Sequence, residues 1–287
     1  MALSLVKAWA MARRRLEGAD IDGPVIDARL LLEAAAGASR TEIVTDPHRP
    51  LTDDQEATLE SFLARREARE PVSHILGRRG FWKIMLKVTP DVLTPRPDTE
   101  SILDVVLGEF AEDEAFEMLD LGVGSGAILL AVLAERPSAR GLGVDVSPAA
   151  LEVARENAAV LGLAGRASLE HGVWAEGLPD AHYDLVVSNP PYIASAEIET
   201  LAPEVRDHEP RLALDGGADG LDAYRLLAPE ILRVLKPGGR FAVEIGASQK
   251  APVESLFRAA GAQGVRTTQD LAARDRVVAG FKKPLGK

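Results

Sequence analysis

Two short segments in the middle of the chain combine residue types and spacings suited to chemistry. The first, called the glycine loop below, is Gly122-Val123-Gly124-Ser125-Gly126, which follows an apolar stretch and places a glycine at every second position. Glycines allow a tight turn and let a bound ligand touch the backbone. Taken alone, the loop is compatible with a nicotinamide cofactor, with another nucleotide or with a plain tight turn.

Two acidic residues near the glycine loop narrow these possibilities. The spacing is not the G-x-G-x-x-G that places a pyrophosphate at a helix N-terminus, and Asp120, just before the loop, would repel a phosphate. A cofactor with a positive sulfonium and an amino-acid tail suits this charge better. Asp145, at the end of the next predicted strand, is placed to accept the hydroxyls of a ribose. Alternatively, Asp145 caps the following helix, a role that Ser147 could fill instead.

The second segment is Asn189-Pro190-Pro191-Tyr192, called the Asn-Pro-Pro-Tyr turn below. Its prolines fix the backbone and lack N–H donors, which leaves the Asn189 side-chain oxygen and the Pro190 carbonyl to accept the two hydrogens of an –NH₂ group. An amide or aromatic amine is a poor nucleophile, so fixing both hydrogens localises and aims its lone pair. Tyr192 is expected to stack on the planar group. The alternative is a simple strand terminator with a turn.

Alternating strands and helices must position these two segments. The pattern predicts a parallel sheet with helices on both faces, and ligands of such sheets bind at the carboxyl ends of the strands. The predicted strands are 117–121, 141–146, 183–188, 240–245 and 276–281, with a weaker one at 167–170. The predicted helices are 126–136, 148–162, 221–235 and 249–260.

The chain is predicted to have three parts. Residues 1–80 form a helical bundle, because Leu5, Trp9, Ala12 and Leu16 share one helix face. Thr52 and Gln55 match a capping box within that bundle, and Pro24 and Gly37 bound another helix. Residues 81–100 form a strand or hairpin and a proline-rich linker, and residues 101–287 form the α/β domain. The bundle either has only a packing role or binds a macromolecular substrate.

Composition excludes several classes of protein. The chain has no cysteine, its five histidines are scattered, and we expect no metal site. No apolar run reaches the roughly 18 residues that a membrane span needs, and the N-terminus lacks the pattern of a secretory signal, so a cytoplasmic protein is expected. The net charge of −11 disfavours a nucleic-acid substrate. A basic patch keeps a nucleic-acid substrate open as an alternative. Acidic residues interrupt this patch, and it could instead be a solvated helix face. Its members are Arg65, Arg66, Arg69, Arg78 and Arg79.

These motifs together resemble the Rossmann-like methyltransferases that depend on S-adenosyl-L-methionine. The resemblance is closer to the protein-(glutamine-N5) methyltransferases of bacterial peptide chain release factors (the HemK/PrmC family), and it covers nearly the full length. The Asn-Pro-Pro-Tyr turn is shared with methyltransferases of adenine N6 and guanine N2, so the segment Pro95–Glu100 is the sharper marker. Further matching positions are Glu209-Pro210, Ala213-Leu214, Gly217, Gly220-Leu221 and Lys236-Pro237-Gly238-Gly239.

The resemblance implies a seven-stranded sheet ending in an antiparallel strand at 276–281, preceded by a small helical domain. It also implies methyl transfer to the glutamine of the Gly-Gly-Gln motif in release factors, with N5-methylglutamine as the product. We expect a monomer, since a large substrate needs open access to the cleft. Methylation of an exocyclic amine in rRNA or DNA is the alternative activity, and a non-catalytic binding protein that keeps the fold is a third possibility.

The resemblance assigns roles to individual residues. The glycine loop would cradle the methionine part of the cofactor, Asp145 the ribose, and Trp174 the adenine, with Asn189 near both cofactor and substrate. Asn189, Pro190 and Tyr192 would hold the glutamine amide, with Pro191 beside them. One position departs from the family, which often has an acidic residue where this chain has Val173. Adenine recognition would then rest more on backbone groups. Trp174 could instead be a buried core aromatic.

Overall fold

The structure, a computed structural model, describes residues 3–285. Within that range the chain forms two compact units. The first comprises the residues up to Arg78 together with Ala202–His208, and the second comprises Arg79–Leu201 and the residues from Glu209 onwards.

The helices and strands are numbered in chain order. The α-helices are α1 (Leu5–Gly18), α2 (Pro24–Ala36), α3 (Arg40–Thr45), α4 (Asp53–Glu67), α5 (Val72–Leu76), α6 (Glu100–Leu107), α7 (Ala127–Glu135), α8 (Pro148–Val160), α9 (Pro203–Arg206), α10 (Asp222–Val234) and α11 (Lys250–Ala259). The strands are β1 (Arg78–Phe81), β2 (Ile84–Lys87), β3 (Glu117–Leu121), β4 (Arg140–Asp145), β5 (Ala167–His171), β6 (Tyr183–Ser188), β7 (Leu235–Glu244), β8 (Ala262–Gln269) and β9 (Asp275–Lys282).

The first unit is the helical bundle expected from the sequence. Leu5, Ala12 and Leu16 of α1 are buried in its core, as their spacing predicts, whereas Trp9 is only half-buried. The capping box of Thr52 and Gln55 begins α4 as predicted. Helix α3 was not predicted, although a second capping box of Ser39 and Glu42 begins it. These local signals therefore specify the helix ends of this unit.

Helix α9 also belongs to the first unit, although it lies far along the chain. Its Glu204 carboxylate contacts the Arg66 guanidinium at 2.9 Å and the Arg69 guanidinium at 3.3 Å. Arg66 also contacts Asp27 at 2.8 Å and is only 5% exposed. The interpretation of the arginine run as a solvated helix face is therefore wrong for Arg66, since this arginine is buried among carboxylates.

The second unit contains the predicted sheet. Seven strands lie in the order β5-β4-β3-β6-β7-β9-β8, and β9 is antiparallel to both of its neighbours. The other pairings are parallel. The resemblance to a seven-stranded fold that ends in an antiparallel strand is confirmed. Strand β9 is the last strand of the chain but lies one place in from the edge, because β8 is inserted outside it.

Alternate residues along each strand pack on opposite faces of the sheet, because successive side chains of a strand point in opposite directions. Met118 and Leu185 belong to the core cluster that includes α6, α7 and α8. Leu119 and Val186 belong to the cluster that includes α10 and α11. Helices therefore cover both faces, as the alternation of strands and helices predicts.

Strand β8 was missed because its sequence carries little apolar signal. Only Ala262 among its residues is buried, and the rest are partly or fully exposed, as suits an edge strand. Residues 81–90 were predicted to form a strand or hairpin. A two-stranded sheet of β1 and β2 is present there, but β1 begins at Arg78, before the predicted range. Among the described helices, none has both the length and the apolar character needed to cross a membrane.

Candidate active site

A cleft in the second unit lies where strands β3, β4 and β6 end. Its volume of about 360 Å³ falls in the ~300–1,000 Å³ range of small-molecule sites. Strand β3 has β4 on one side and β6 on the other, so this edge of the sheet is the topological switch point. The predicted site residues that line the cleft are Gly122, Val123, Gly124, Ser125, Asp145, Trp174, Asn189 and Pro191. Gly126, Pro190 and Tyr192 are not among the lining residues.

The glycine loop follows β3 and leads into α7. Its residue Gly126 precedes α7 with φ +85°, and a Cβ there would lie 2.8 Å from the Leu130 side chain. Gly122 also has a positive φ, +75°, and a Cβ on it would face the Trp174 ring at 3.6 Å. The loop therefore places bare backbone beside the indole at the cleft wall, which leaves room for a ligand.

Asp145 is held by the backbone on both sides. Its Oδ2 accepts a hydrogen bond from the Gly124 N–H at 2.8 Å, and its Oδ1 accepts one from the Ser147 N–H at 2.9 Å. The Ser147 hydroxyl caps α8 by accepting from the Ala150 N–H. The cap is therefore supplied by Ser147, and the half-buried Asp145 carboxylate keeps lone pairs for a ligand in the cleft.

Asp120 lies beneath the glycine loop and does not line the cleft. It is 1% exposed; its Oδ2 accepts from the Leu129 N–H at 3.1 Å, and its Oδ1 has no hydrogen-bond partner. Burial raises the pKa of the Asp120 carboxyl to about 7, with a smaller contribution from the nearby Asp145 charge, while the Leu129 N–H opposes the shift. A cationic ligand bound nearby would favour the ionised carboxylate.

Asn189 lies at the end of β6 and faces the cleft half-buried. Its Nδ2 donates to the Thr99 hydroxyl oxygen at 3.2 Å, which leaves Oδ1 to accept from a ligand. Strand β6 is joined to β3 just before this point, because the Ser188 hydroxyl donates to the Leu121 carbonyl at 2.7 Å. The Asn-Pro-Pro-Tyr turn thus begins beside the end of β3, the strand that leads into the glycine loop.

Tyr192, the last residue of the turn, is hydrogen-bonded through both its hydroxyl and its main-chain carbonyl. Its hydroxyl donates to Glu244 Oε1 at 3.2 Å, and its carbonyl accepts from the Gln249 Nε2 at 2.9 Å. Burial and the Glu244 charge raise the pKa of the Tyr192 hydroxyl, so it stays protonated as a donor. Gln249 also donates to the Gly220 carbonyl at 3.1 Å. These contacts fix the far end of the turn.

Sequence reasoning did not single out Glu244. This carboxyl at the end of β7 is 1% exposed, and burial raises its pKa to about 7 against the opposing effects of Thr99, Arg276 and Tyr192. An acidic residue directly after the apolar run from Phe241 to Val243 was the available signal, because a charge at the end of a buried strand requires partners.

The segment Pro95–Glu100 was predicted to belong to a proline-rich linker and was noted as a family marker, and each of its polar residues has a partner. Arg96 contacts the buried Glu209 at 2.6 Å, and Asp98 contacts Arg276 at 3.3 Å. Glu100 accepts from the Trp82 N–H at 2.8 Å. The segment thereby ties the hairpin, the region of Glu209 and the end of the sheet to one wall of the cleft, which both Arg96 and Thr99 line.

Known families match both parts of the chain. Residues 7–77 match the family described as the PrmC N-terminal domain, and residues 112–271 match the family described as a methyltransferase domain. The release factor glutamine methyltransferase of Caulobacter vibrioides is 67% identical over 285 residues, which cover 99% of each chain. This chain belongs to the release factor glutamine methyltransferase family.

Other relatives agree with this membership. The release factor glutamine methyltransferase of Cereibacter sphaeroides is 47% identical over 92% of this chain and 93% of its own, and that of Moorella thermoacetica is 40% identical over 98% and 99%. A solved methyltransferase from Pyrococcus furiosus superposes with a TM-score of 0.54 and 18% identity, covering 77% of this chain and 99% of its own. That likeness supports the fold alone. The methyl donor of the family fold is S-adenosyl-L-methionine, as the resemblance implied.

Proposed function

We propose that this chain transfers the methyl group of S-adenosyl-L-methionine to the side-chain amide nitrogen (N5) of the glutamine in the Gly-Gly-Gln motif of bacterial peptide chain release factors. The observation that carries the proposal is a single cleft lined both by the glycine loop with Asp145 and by Asn189 of the Asn-Pro-Pro-Tyr turn. Membership of the family supports the choice of substrate.

The residues of the cleft fit the cofactor. Asp145 would accept the ribose hydroxyls, and the exposed side chains of Val146 and Val173, which line the same cleft, would give apolar contact to the adenine beside Trp174. The buried Asp120 has an unpartnered oxygen, and a cationic methionine part bound at the glycine loop would favour its ionised form, which would then attract that cation. The family often has an acidic residue where this chain has Val173, and that residue would contact the adenine amino group. In this chain, recognition of the amino group would therefore depend on backbone groups.

Asn189 and Pro190 would hold the acceptor amide. S-adenosyl-L-methionine supplies an electrophilic methyl group when bound. Asn189 Oδ1 and the Pro190 carbonyl accept the two hydrogens of the glutamine –NH₂, which stops rotation of the amide and directs its lone pair into the cleft. These acceptors also stabilise the positive charge that develops on the nitrogen during transfer. One of its protons is then acidic enough to pass to water, so no dedicated base is needed. Neither Pro190 nor Tyr192 lines the cleft, and the Tyr192 hydroxyl is bound to Glu244. The contact with the Pro190 carbonyl and the stacking by Tyr192 therefore stay predictions.

The charges of the described surface favour a protein over a nucleic acid. Arg65 pairs with Glu70, Arg66 with Asp27 and Glu204, and Arg69 with Glu204. Three carboxylates therefore balance three of the five arginines of the basic patch. Counterion release from phosphates needs cations that are free to bind them. The monomeric state and the cytoplasmic location expected from the sequence stay predictions.

A labelled-methyl transfer assay tests the proposed function. Purified protein is offered S-adenosyl-L-methionine with a tritiated methyl group and, in separate reactions, an unmethylated release factor, rRNA or DNA. We expect label on the release factor alone, and none on a variant of that factor whose Gly-Gly-Gln glutamine is replaced by alanine. Labelled rRNA or DNA beside an unlabelled release factor would overturn the proposal.

A further inference from the structure

Three large apolar side chains line the cleft and are also exposed, within the described part of the chain: Val146, Val173 and Leu212. Exposed valines and leucines are ordinary on a protein surface, so their exposure by itself indicates no function. In a ligand cleft such a side chain has a consequence, because a ligand that covers it removes apolar surface from water. The ligand that each of the three would contact depends on the part of the cleft to which its backbone is attached.

Val146 and Val173 are attached to the strand end that carries Asp145. Val146 directly follows Asp145 in the sequence. The Gly172 N–H donates to the Asp145 carbonyl at 3.1 Å, which brings the next residue, Val173, to the same strand end. Since the proposed function assigns Asp145 to the ribose, these two valines are accounted for by the cofactor.

Leu212 is attached to the Asn-Pro-Pro-Tyr turn instead. It lies in a short 3₁₀ helix, Arg211–Ala213. Directly after this helix the Leu214 carbonyl accepts from the Ile193 N–H at 3.0 Å, and the Gly216 N–H donates to the Ile193 carbonyl at 2.8 Å. Ile193 is the residue that follows the turn, so these two bonds hold the backbone of the Leu212 segment against the turn.

Ion pairs fix this segment on both sides of Leu212. Arg211 pairs with Asp215 at 3.4 Å, and the buried Glu209 carboxylate accepts from Arg96 Nη2 at 2.6 Å. The leucine side chain itself is 63% exposed. An apolar group on a fixed backbone loses little conformational freedom when a ligand covers it, so most of the gain from its burial is available for binding.

We infer that Leu212 is a binding residue for the acceptor polypeptide, which it contacts through the apolar groups beside the acceptor amide. A glutamine side chain has methylene groups between its amide and its backbone, so a site that holds the amide at Asn189 also has to accommodate apolar surface. The inference rests on the proposed function and deepens it, because it names a residue that contacts the acceptor and not the cofactor.

This contact predicts an effect on KM and not on kcat. The methylene groups do not change during methyl transfer, so Leu212 stabilises the bound substrate and the transition state equally. Leu212→Ala should raise the KM for the release factor by about tenfold, the size expected when burial of part of a leucine side chain is lost. The kcat at saturating release factor and the Kd for S-adenosylhomocysteine should stay at their wild-type values.

Two further substitutions of Leu212 separate the loss of apolar contact from the loss of volume. Leu212→Met keeps a similar apolar volume and should restore the KM to near its wild-type value. Leu212→Gln keeps the length of the side chain but makes its end polar, and it should raise the KM at least as much as Leu212→Ala. Because Leu212 is exposed, all three variants should keep the melting temperature of wild type.

Leu226 provides a matched control. It is 56% exposed, lies on α10 and does not line the cleft. Leu226→Ala removes the same atoms from a comparably exposed leucine and should leave the KM for the release factor unchanged. A wild-type KM in Leu212→Ala, a loss confined to the Kd for S-adenosylhomocysteine, or an equal rise of KM in Leu226→Ala would overturn the inference.

Photo-crosslinking detects the contact without methyl transfer. p-Benzoylphenylalanine is placed at position 212 or, as the control, at position 226, and each protein is irradiated with an unmethylated release factor in the presence of S-adenosylhomocysteine. We expect a crosslink from position 212 alone, and mass spectrometry should locate it in the peptide that contains the Gly-Gly-Gln motif. Crosslinks from position 212 that are confined to other parts of the release factor would contradict the assignment.

The kinetic results separate the inference from the proposed function. If wild type methylates the release factor and Leu212→Ala does so with the same KM, the role of Leu212 alone is overturned. A wild-type protein that leaves the release factor unmethylated overturns the proposed function and, with it, the assignment of Leu212 to the acceptor.

Discussion

The glycine loop and the Asn-Pro-Pro-Tyr turn, which both contribute to the cleft, are held by different kinds of contact. The proposed function assigns the first to the cofactor and the second to the acceptor amide, and they are called the cofactor end and the acceptor end below. Asp145 bonds to the backbone of Gly124 and of Ser147, all within the first βα units of the sheet. The turn is held instead by side chains distant in sequence: Asn189 by Thr99 and Tyr192 by Glu244. The cofactor end thus depends mainly on local backbone geometry, and the acceptor end on long-range hydrogen bonds.

The most severe change at the acceptor end is Asn189→Ala. It removes the proposed acceptor for one amide hydrogen, and we expect a loss of about 100- to 1,000-fold in kcat, comparable to removal of one preorganised group that stabilises developing charge. Calorimetry with S-adenosylhomocysteine should still detect binding, because Asp145 and the glycine loop are unchanged. A variant with full turnover would show that the proposed grip on the amide is wrong.

Gly220→Ala tests how strictly the turn must be placed. Gly220 has φ +73°, and a Cβ there would overlap the carbonyl oxygen of Tyr192, so the turn must shift. We expect a fall of about tenfold to 100-fold in kcat, since small displacements of reacting groups carry such costs.

Gly238→Ala is the matched control for that variant. Gly238 has φ +84° but nothing within 4 Å of an added Cβ, so it suffers the same backbone strain without the contact. Both variants should lose about 1–2 kcal/mol of stability from the strained backbone. Only Gly220→Ala should lose activity, and equal activities would mean that the turn tolerates displacement.

Asp145→Asn probes the cofactor end. The amide retains one acceptor oxygen but loses the charge and the second acceptor. The Kd for S-adenosylhomocysteine should rise by about tenfold, the cost of a hydrogen bond to a charged group, with kcat at saturating cofactor nearly unchanged. A loss confined to kcat would place Asp145 in the chemistry of transfer rather than in cofactor binding.

The buried carboxyl of Asp120 offers a smaller test, in which the free energy of unfolding is measured. Because burial raises the folded-state pKa of Asp120 from 3.8 to about 7, folding is favoured while the group is protonated. Its contribution is therefore lost as the pH rises from about 4 to about 7. Asp120→Asn does not titrate, so wild type should lose stability relative to this variant between pH 4 and pH 8, by a few kcal/mol at most at about 1.4 kcal/mol per pKa unit.

Urea unfolding of wild type and Asp120→Asn at each pH measures that difference. Comparing the two proteins cancels the titration of the carboxyls that are common to both. A difference that stays constant across this range would mean that Asp120 ionises freely within the folded protein.

Much of the fold was predictable because its signals are local. The apolar runs of β3 and β6 were predicted with their observed bounds, since buried strands of a parallel sheet are continuously apolar. Strand β8 was missed because an edge strand with one buried residue has no such run. Helix α9 was missed because it is four residues long, and it belongs to the first unit, where its Glu204 contacts Arg66.

The limit of prediction from the sequence alone is clearest at the acceptor end. The sequence by itself determined the fold class, the two motifs and the ligand chemistry they suit, because glycine spacing, strand ends and paired prolines act through the adjacent backbone. Only the tertiary structure decided that Ser147 rather than Asp145 caps α8, that Arg66 is buried, and that Thr99 contacts Asn189 and Glu244 contacts Tyr192. Those outcomes depend on which distant side chains meet, and the pairing of strands and helices sets such meetings.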